Sequence, residues 1–394
     1  MAANGRSNVH DDAYMSDTYA GAGPLGRNTG VSSTYLVPGT ECGSIAFDGA
    51  GRIVSVCVGL TPSAVIGTSS NVNLVLMDQR SLQIDAAFAL PPRQVSPSPF
   101  NDFSAGGYFY LDNLDRAVVG TTTRHIFVIA EIENSFAVDP ASGGGVYIVS
   151  ETAMYRFHAS ATGSPAVTWQ RFYDRTNVQK PGQVDQGSGT TPTLMGSTFV
   201  SITDNADPMD IVVYQRDTGA VVCKQPVFDT AAFTLPPGSP SMYASDTENS
   251  LIGTATQMIV ENNYGYSGPG ATSGGGVTYP GMERVDVNPR GGCMVRWLSM
   301  VRAPSVVAKL SLATGLVYTY TKPPDCCSPT PNPPSGADPW YLTAISFRSG
   351  ATVFSRLAGV GLGYNNNYAP VSLAPDGAAY VGVLGGLVEF RDGS

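Results

Sequence analysis

The chain alternates short apolar runs with turn residues, and no helical period is sustained anywhere. Runs of four to eight Val, Ile, Tyr, Phe and Thr residues are bounded by Gly, Asp, Asn and Pro, which is the pattern of strands and tight turns. Seven short hairpins can be aligned: 44–56 (SIAFDGAGRIVSV), 108–120 (YFYLDNLDRAVVG), 135–149 (SFAVDPASGGGVYIV), 192–202 (PTLMGSTFVSI), 250–260 (SLIGTATQMIV), 310–320 (LSLATGLVYTY) and 371–383 (VSLAPDGAAYVGV). Each joins a small-residue strand to a β-branched one.

Successive hairpins start 57 to 64 residues apart, apart from one interval of 27. The long intervals hold two further strands, such as NLVLMD and AAFAL, AMYRFHA and AVTWQRF, or MERVDV and CMVRWLS. Four antiparallel strands repeated at even spacing predict an all-β fold, a β-propeller. Seven four-stranded blades are expected, one of them incomplete, with six or eight as the alternatives. The final repeat ends at GLVEFRD, one strand short. SSTYLV near the N-terminus is expected to supply that strand and close the ring, removing an exposed edge. Residues 1–30 read as a tail and 31–394 as one propeller domain.

Closure would bring distant positions together. The residue before each innermost strand should lie at one mouth of the axis: Glu41, Glu133 and Asn134, Thr190 and Thr191, Glu248 and Asn249, and Lys309. The doubled Glu-Asn-Ser, at 133 and at 248, is then one ring of side chains written once per blade. Asn and Ser also hold turns through their own backbone, so the same repetition is open to a purely architectural explanation. Segments TTTRH (with Arg124 and His125), TDNADP (with Asp204 and Asn205) and ENNYGY (with Tyr264 and Tyr266) follow second strands and should open on the same face. The loop after TYTKPPD, running to Asp338, reads as a lid pinned by disulfides.

Composition narrows the classes. Net charge is −9 with only four lysines, so no basic stripe for nucleic acid is present. No apolar run approaches the ~20 residues of a membrane span. Six cysteines without a C-x2-C pair favour an oxidising compartment, secreted or in the secretory lumen, over zinc. Cys42 and Cys57 flank the first hairpin and should face each other closely enough for a bridge. No G-x-S-x-G, H-E-x-x-H or P-loop occurs. Glu41, Asn134, Asp204 and Asn249 offer an oxygen set suited to calcium, as in calcium-dependent propeller hydrolases and lactonases.

The stretches GPLGRNTGVSSTYL, ECGSIAFDGAGRIVSVC, GGYFYLDNLDRAVVGTTTRHIFV, GSGTTPTLMGSTFVSITDNADPMDIVVY, TENSLIG and VENNYGYSGP resemble a family of secreted β-propellers of actinobacteria and filamentous fungi. Members carry extra residues between RHIFV and ENSFAVD. Some fungal members are hetero-Diels–Alderases of tropolonic sesquiterpenoid biosynthesis. The resemblance implies a cofactor-free pericyclase joining a tropolone-derived o-quinone methide to a humulene-type terpene; charge and hydropathy, as above, point to neither nucleic acid nor membrane as partner. Orientation alone can supply about 7–11 kcal/mol to such a reaction, and donors can polarise the diene carbonyl. Arg124, Asn134, Asn249 and Lys309 are the candidate donors, and Glu133 and Glu248 the carboxylates for water loss. Glu41, Thr190, Asp204 and Asn205 would line the cup, with Tyr264, Tyr266 and Trp340 as apolar walls. A non-catalytic binding propeller is the third expectation.

Overall fold

The computed structural model describes residues 16–36, 41–47, 51–58, 72–89, 108–111, 117–120, 136–139, 144–159, 161, 165–184, 186–229, 244–288, 290–323 and 338–393. Their regular structure is strand, with two short 3-10 turns at Pro269–Gly275 and Leu362–Tyr364.

Along the chain, β1 (Thr18–Tyr19) and β2 (Gly30–Leu36) precede the repeats. The first sheet is β3 (Glu41–Phe47), β4 (Ile53–Val58), β5 (Val72–Met77) and β6 (Ile84–Ala89). A two-stranded sheet follows, β7 (Tyr108–Leu111) with β8 (Ala117–Gly120). Next come β9 (Ala137–Val138), β10 (Val146–Val149), β11 (Ala153–Ala159) and β12 (Pro165–Phe172). The fourth sheet holds β13 (Thr193–Met195), β14 (Phe199–Thr203), β15 (Asp210–Gln215) and β16 (Val221–Pro226). The fifth holds β17 (Ile252–Gly253), β18 (Gln257–Glu261), β19 (Met282–Val287) and β20 (Cys293–Ser299). The sixth holds β21 (Lys309–Ser311), β22 (Leu316–Thr321), β23 (Pro339–Ser346) and β24 (Thr352–Val360), with β1 added on its β21 edge. In the last, β25 (Val371–Leu373), β26 (Ala379–Val383) and β27 (Gly386–Arg391) take β2 as their fourth strand. All seven predicted hairpins pair antiparallel.

Consecutive sheets pack face to face. Trp169 and Tyr147 meet Val200 and Tyr214 between the third and fourth sheets. Met209 and Val213 meet Met258 and Val285 between the fourth and fifth. Ile259 and Trp297 meet Val317 and Ile345, then Tyr320 and Leu342 meet Val381 and Val388, then Tyr380 meets Ile45 and Val75. First strands touch first strands (β13 with β17, β21 with β25, β25 with β3), and the outer strands β16 and β20 also touch. This radial order of four-stranded antiparallel sheets is a β-propeller. A sheet covered on both faces has no solvent side, so its inner strands lose the apolar/polar alternation. β26 is buried at every residue and β18 at four of its five.

Two disulfides bind the described residues. Cys42 and Cys57 are register partners across β3 and β4 and are bonded. Cys223 and Cys293 join β16 to β20 across the neighbouring outer strands. Cys326, Cys327 and the expected lid around them lie outside the described residues. No described helix is long and apolar enough to cross a membrane.

β1 falls inside the stretch read as a tail. Thr18 and Tyr19 pair in parallel with Leu310 and Ser311, and Tyr19 is buried in the core between the last two sheets. Two residues in an Ala/Gly-rich run carry no periodicity, so nothing in the pattern marked them.

Candidate functional site

In each antiparallel hairpin the start of the first strand lies beside the end of the second. The polar side chains at these positions do meet. The Thr203 amide donates to Thr190 Oγ1 at 3.1 Å. Asn249 Nδ2 donates to Glu261 Oε2 at 3.3 Å and to the Val306 carbonyl at 2.7 Å. Thr319 of the next sheet donates to Glu261 Oε1 at 2.9 Å. Glu261 is thereby the acceptor at a buried node between two sheets. Burial pushes its carboxyl up to about 8, and Asp17 nearby adds to the rise. It is a neutral acid at pH 7, in a place where an ionised carboxylate is costly.

The loops on this end are held by similar side chains. Asp204 Oδ1 accepts from the amides of Ala206 and Asp210 at 3.1 and 2.8 Å. Asn205 Nδ2 donates to the carbonyls of Val178 and Gln186 at 3.1 and 2.7 Å. Asp246 Oδ2 accepts from Gly182 at 2.8 Å. Asn263 Oδ1 accepts from Thr247 Oγ1 and the Glu248 amide at 2.8 and 2.9 Å. Lys180 Nζ donates to the carbonyls of Ala206 and Ser245. Burial raises Asp204 and Asp246 to about 7 and lowers Lys180.

Glu248 and Tyr264 come partly to the surface. Glu248 Oε1 accepts from the Val184 amide at 2.9 Å. Tyr264 meets Tyr279 edge to face with centroids 5.0 Å apart, and both rings are half-buried. Burial raises the Tyr264 phenol, with Asp246 and Asp207 adding to it. Asn263, whose side chain accepts from the Glu248 amide, immediately precedes Tyr264, so the two half-buried residues stand on neighbouring stretches of backbone.

Three residues have surroundings unlike those expected. Lys309, expected as an accessible donor at the mouth, is 1% exposed and pairs with Asp17 at 3.0 Å. Trp340, expected as an apolar wall, is fully buried; it stacks on Tyr320 at 5.6 Å, and Lys322 Nζ lies 5.3 Å from its ring centroid. Tyr266 is likewise buried, its hydroxyl donating to Asn365 Oδ1 at 3.0 Å. Lys309 and Trp340 lie in strands of the sixth sheet, and Tyr266 lies in the loop after β18, packed edge to face on Tyr368; the Trp340 indole nitrogen has no hydrogen-bond acceptor among the described residues.

Arg124, Glu133, Asn134, His125 and the Glu41 side chain lie outside the described residues. Of the proposed calcium ligands, Asp204 and Asn249 are described: Asp204 Oδ1 accepts the two amides given above, whereas Asp204 Oδ2 and Asn249 Oδ1 are buried without a hydrogen-bond partner among the described residues. Among the described residues no group of three or more His, Cys, Asp or Glu is arranged to hold a metal ion. Asp17, Asp246, Tyr279 and Glu283 were not singled out by sequence. Asp246 stands three residues ahead of Asn249 in SDTEN, so the repeated motif could have been extended to it.

Fold and patch together describe a β-propeller with a buried polar collar at one end. No known family profile matches the chain. An uncharacterized protein of Archaeoglobus fulgidus is 26% identical over 286 residues, covering 66% of this chain and 52% of the archaeal one, so the chain spans about half the length of that relative. Among solved structures, a streptogramin B lyase aligns over 92% of this chain and 97% of its own, with TM-score 0.46 and 10% identity. The WD40 β-propeller domain of Doa1 aligns over 92% and 96%, with TM-score 0.46 and 13% identity. Virginiamycin B lyase from Staphylococcus aureus aligns over 89% and 94%, with TM-score 0.41 and 8% identity.

Proposed function

We propose that the protein is a secreted β-propeller enzyme that binds small organic molecules at the Glu248–Tyr264–Tyr279 patch. The reaction proposed is a cofactor-free hetero-Diels–Alder cycloaddition between an o-quinone methide and a humulene-type terpene. The observation that carries this reading is the half-buried Tyr264–Tyr279 pair, whose Tyr264 follows Asn263, the acceptor of the Glu248 amide. Phenol rings give an apolar wall with a donor at its tip. A cycloaddition asks for positioning and hydrogen-bond donation rather than a nucleophile.

The same proposal includes seven blades closed into a ring, with β2 as the outer strand of the last. The pairing of β2 with β27, register Gly30 to Arg391 through Leu36 to Gly386, supports it. The Cys42–Cys57 and Cys223–Cys293 bridges support an oxidising compartment.

The test supplies a precursor of a tropolone-type o-quinone methide together with a humulene-type terpene and follows the adduct by chiral chromatography. One stereoisomer should accumulate, and Tyr264→Ala or Glu248→Gln should slow it ~10-fold or more while melting within a few degrees of the parent. An adduct formed at the buffer rate and in the buffer's isomer ratio would overturn the reading. The binding-propeller reading is favoured by the number of Asn side chains spent on loop carbonyls rather than on the surface. It predicts ligand-dependent melting shifts without turnover. The calcium-dependent hydrolase reading predicts activity lost on chelation and restored by calcium.

A further inference from the structure

The segment Ser16–Pro24 sits on the axis side of the sheets. β1 lies on the inner edge of β21, and the Ser16 carbonyl accepts from Gly253 of β17, the first strand of the neighbouring sheet, at 2.8 Å. A stretch bonded to first strands of two adjacent blades lies between them at the axis. Leu310 donates to the Asp17 carbonyl at 3.0 Å and Leu312 to the Tyr19 carbonyl at 2.7 Å. Ser311 Oγ donates to the Gly21 carbonyl at 2.6 Å, and the Tyr318 hydroxyl to that of Pro24 at 2.8 Å.

The composition of the segment fits so narrow a place. After Tyr19 it reads Ala-Gly-Ala-Gly-Pro. A Cβ added at Gly23 would stand 2.7 Å from the Tyr318 ring and 2.9 Å from Leu373. Small residues therefore let the backbone lie directly on the core. An extended segment adding itself to a sheet edge is a recognised mode of peptide binding, here satisfied within one chain.

Its two ends are held differently. Past Pro24, the amides of Leu25 and Arg27 donate to the Asp392 carboxylate at 2.9 and 3.2 Å, at an exposed site. At the other end Asp17 pairs with Lys309 at 3.0 Å, both side chains 1% exposed. Breaking one partner of a buried pair strands a charge and is strongly destabilising. The Asp17 end is thus where the strand is fastened to the axis.

We propose that Ser16–Pro24 is a latch strand: it occupies the inner edge of β21 in place of an extended peptide, is fastened by Asp17 and Lys309, and opens locally without unfolding the sheet it caps. The proposal stands apart from the cycloaddition reading and does not use the patch.

Native-state hydrogen exchange resolves it in the full-length protein. The reporters are the amides of Gly253, Leu310 and Leu312, whose acceptors lie on the segment. In the unaltered protein they should exchange ~10-fold or more faster than the amides of β22 and β23. In Asp17→Asn they should accelerate a further ~10-fold while β22 and β23 keep their protection. Reporters that exchange only with the whole sheet in the unaltered protein would overturn the latch, and that result needs no variant to fold. Unchanged reporters in Asp17→Asn would overturn the role of the ion pair. A synthetic peptide of residues 16–24 should compete for the freed edge in Asp17→Asn and slow the Leu310 and Leu312 amides again. No slowing at saturating peptide would show that the edge does not take an extended chain, and the proposal would fall.

Discussion

The indole nitrogen of Trp297 donates to the carbonyl of Phe347 at 2.9 Å, and its ring covers Gly350, where a Cβ would stand 2.7 Å away. Two blades earlier, Trp169 donates to the Arg216 carbonyl at 2.9 Å and covers Gly219, with a Cβ there 2.6 Å from the ring. In both cases an outer-strand Trp clasps the turn of the following sheet. Both glycines also have positive φ, 66° and 75°, a conformation that costs other residues. Gly219→Val and Gly350→Val should each destabilise by about 2–3 kcal/mol, from the displaced ring and the strained backbone together. Trp297→Phe should lose about 0.5–1.5 kcal/mol from the missing hydrogen bond, since the half-buried Phe347 carbonyl still accepts from Arg284 Nη1 at 2.9 Å. Urea unfolding of the three variants checks both values.

The Cys223–Cys293 bridge closes a loop of 70 residues between two blades. Chain entropy assigns a loop of that size about 4 kcal/mol. The double variant Cys223→Ser, Cys293→Ser should lower the urea midpoint accordingly. It should also remove most of the sensitivity of that midpoint to reducing agent.

Four buried carboxyls titrate far above their ordinary range: Asp204 and Asp246 at about 7, Glu261 and Glu283 at about 8, each chiefly through burial. Near pH 6 they hold protons in the fold that the unfolded chain has released. Folding then binds protons, so this contribution weakens as pH rises and is gone above about pH 8. The melting temperature should fall by several degrees between pH 5.5 and 8.5. A flat or rising profile would contradict the burial of these acids.

Glu261 offers a sharper version. It is neutral at pH 7, so Glu261→Gln keeps its shape and an acceptor for Thr319. That change should cost under about 1 kcal/mol at pH 6 and flatten the pH profile. Glu261→Leu should cost about 2–3 kcal/mol, since Asn249 and Thr319 then lose an acceptor. Melting curves of both variants at two pH values separate the outcomes.

The repeats were readable because each hairpin must bury both faces, and a strand so placed has to be short, apolar and closed by a turn residue. AMYRFHA, MERVDV and CMVRWLS are strands at the very residues quoted. The collar was readable only as positions. Thr190, Asn249 and Glu261 could be placed at one end by hairpin geometry, yet whether a side chain faces water or its neighbour depends on the adjacent blade. Lys309 shows why: its partner Asp17 is 292 residues away. Trp340 was likewise misplaced, since an aromatic residue at a strand start looks alike whether it covers a ligand or a core.

The pairing of β2 with β27 gives the molecule a timetable. Residues about 350 positions apart share one sheet, so a ribosome must make all the sheets between them before β2 meets its partner. Until then β2, made first, waits with an open edge, the state most prone to pairing with a stranger. Expression yield should therefore depend on what shields that edge during synthesis more than on the stability of the finished fold.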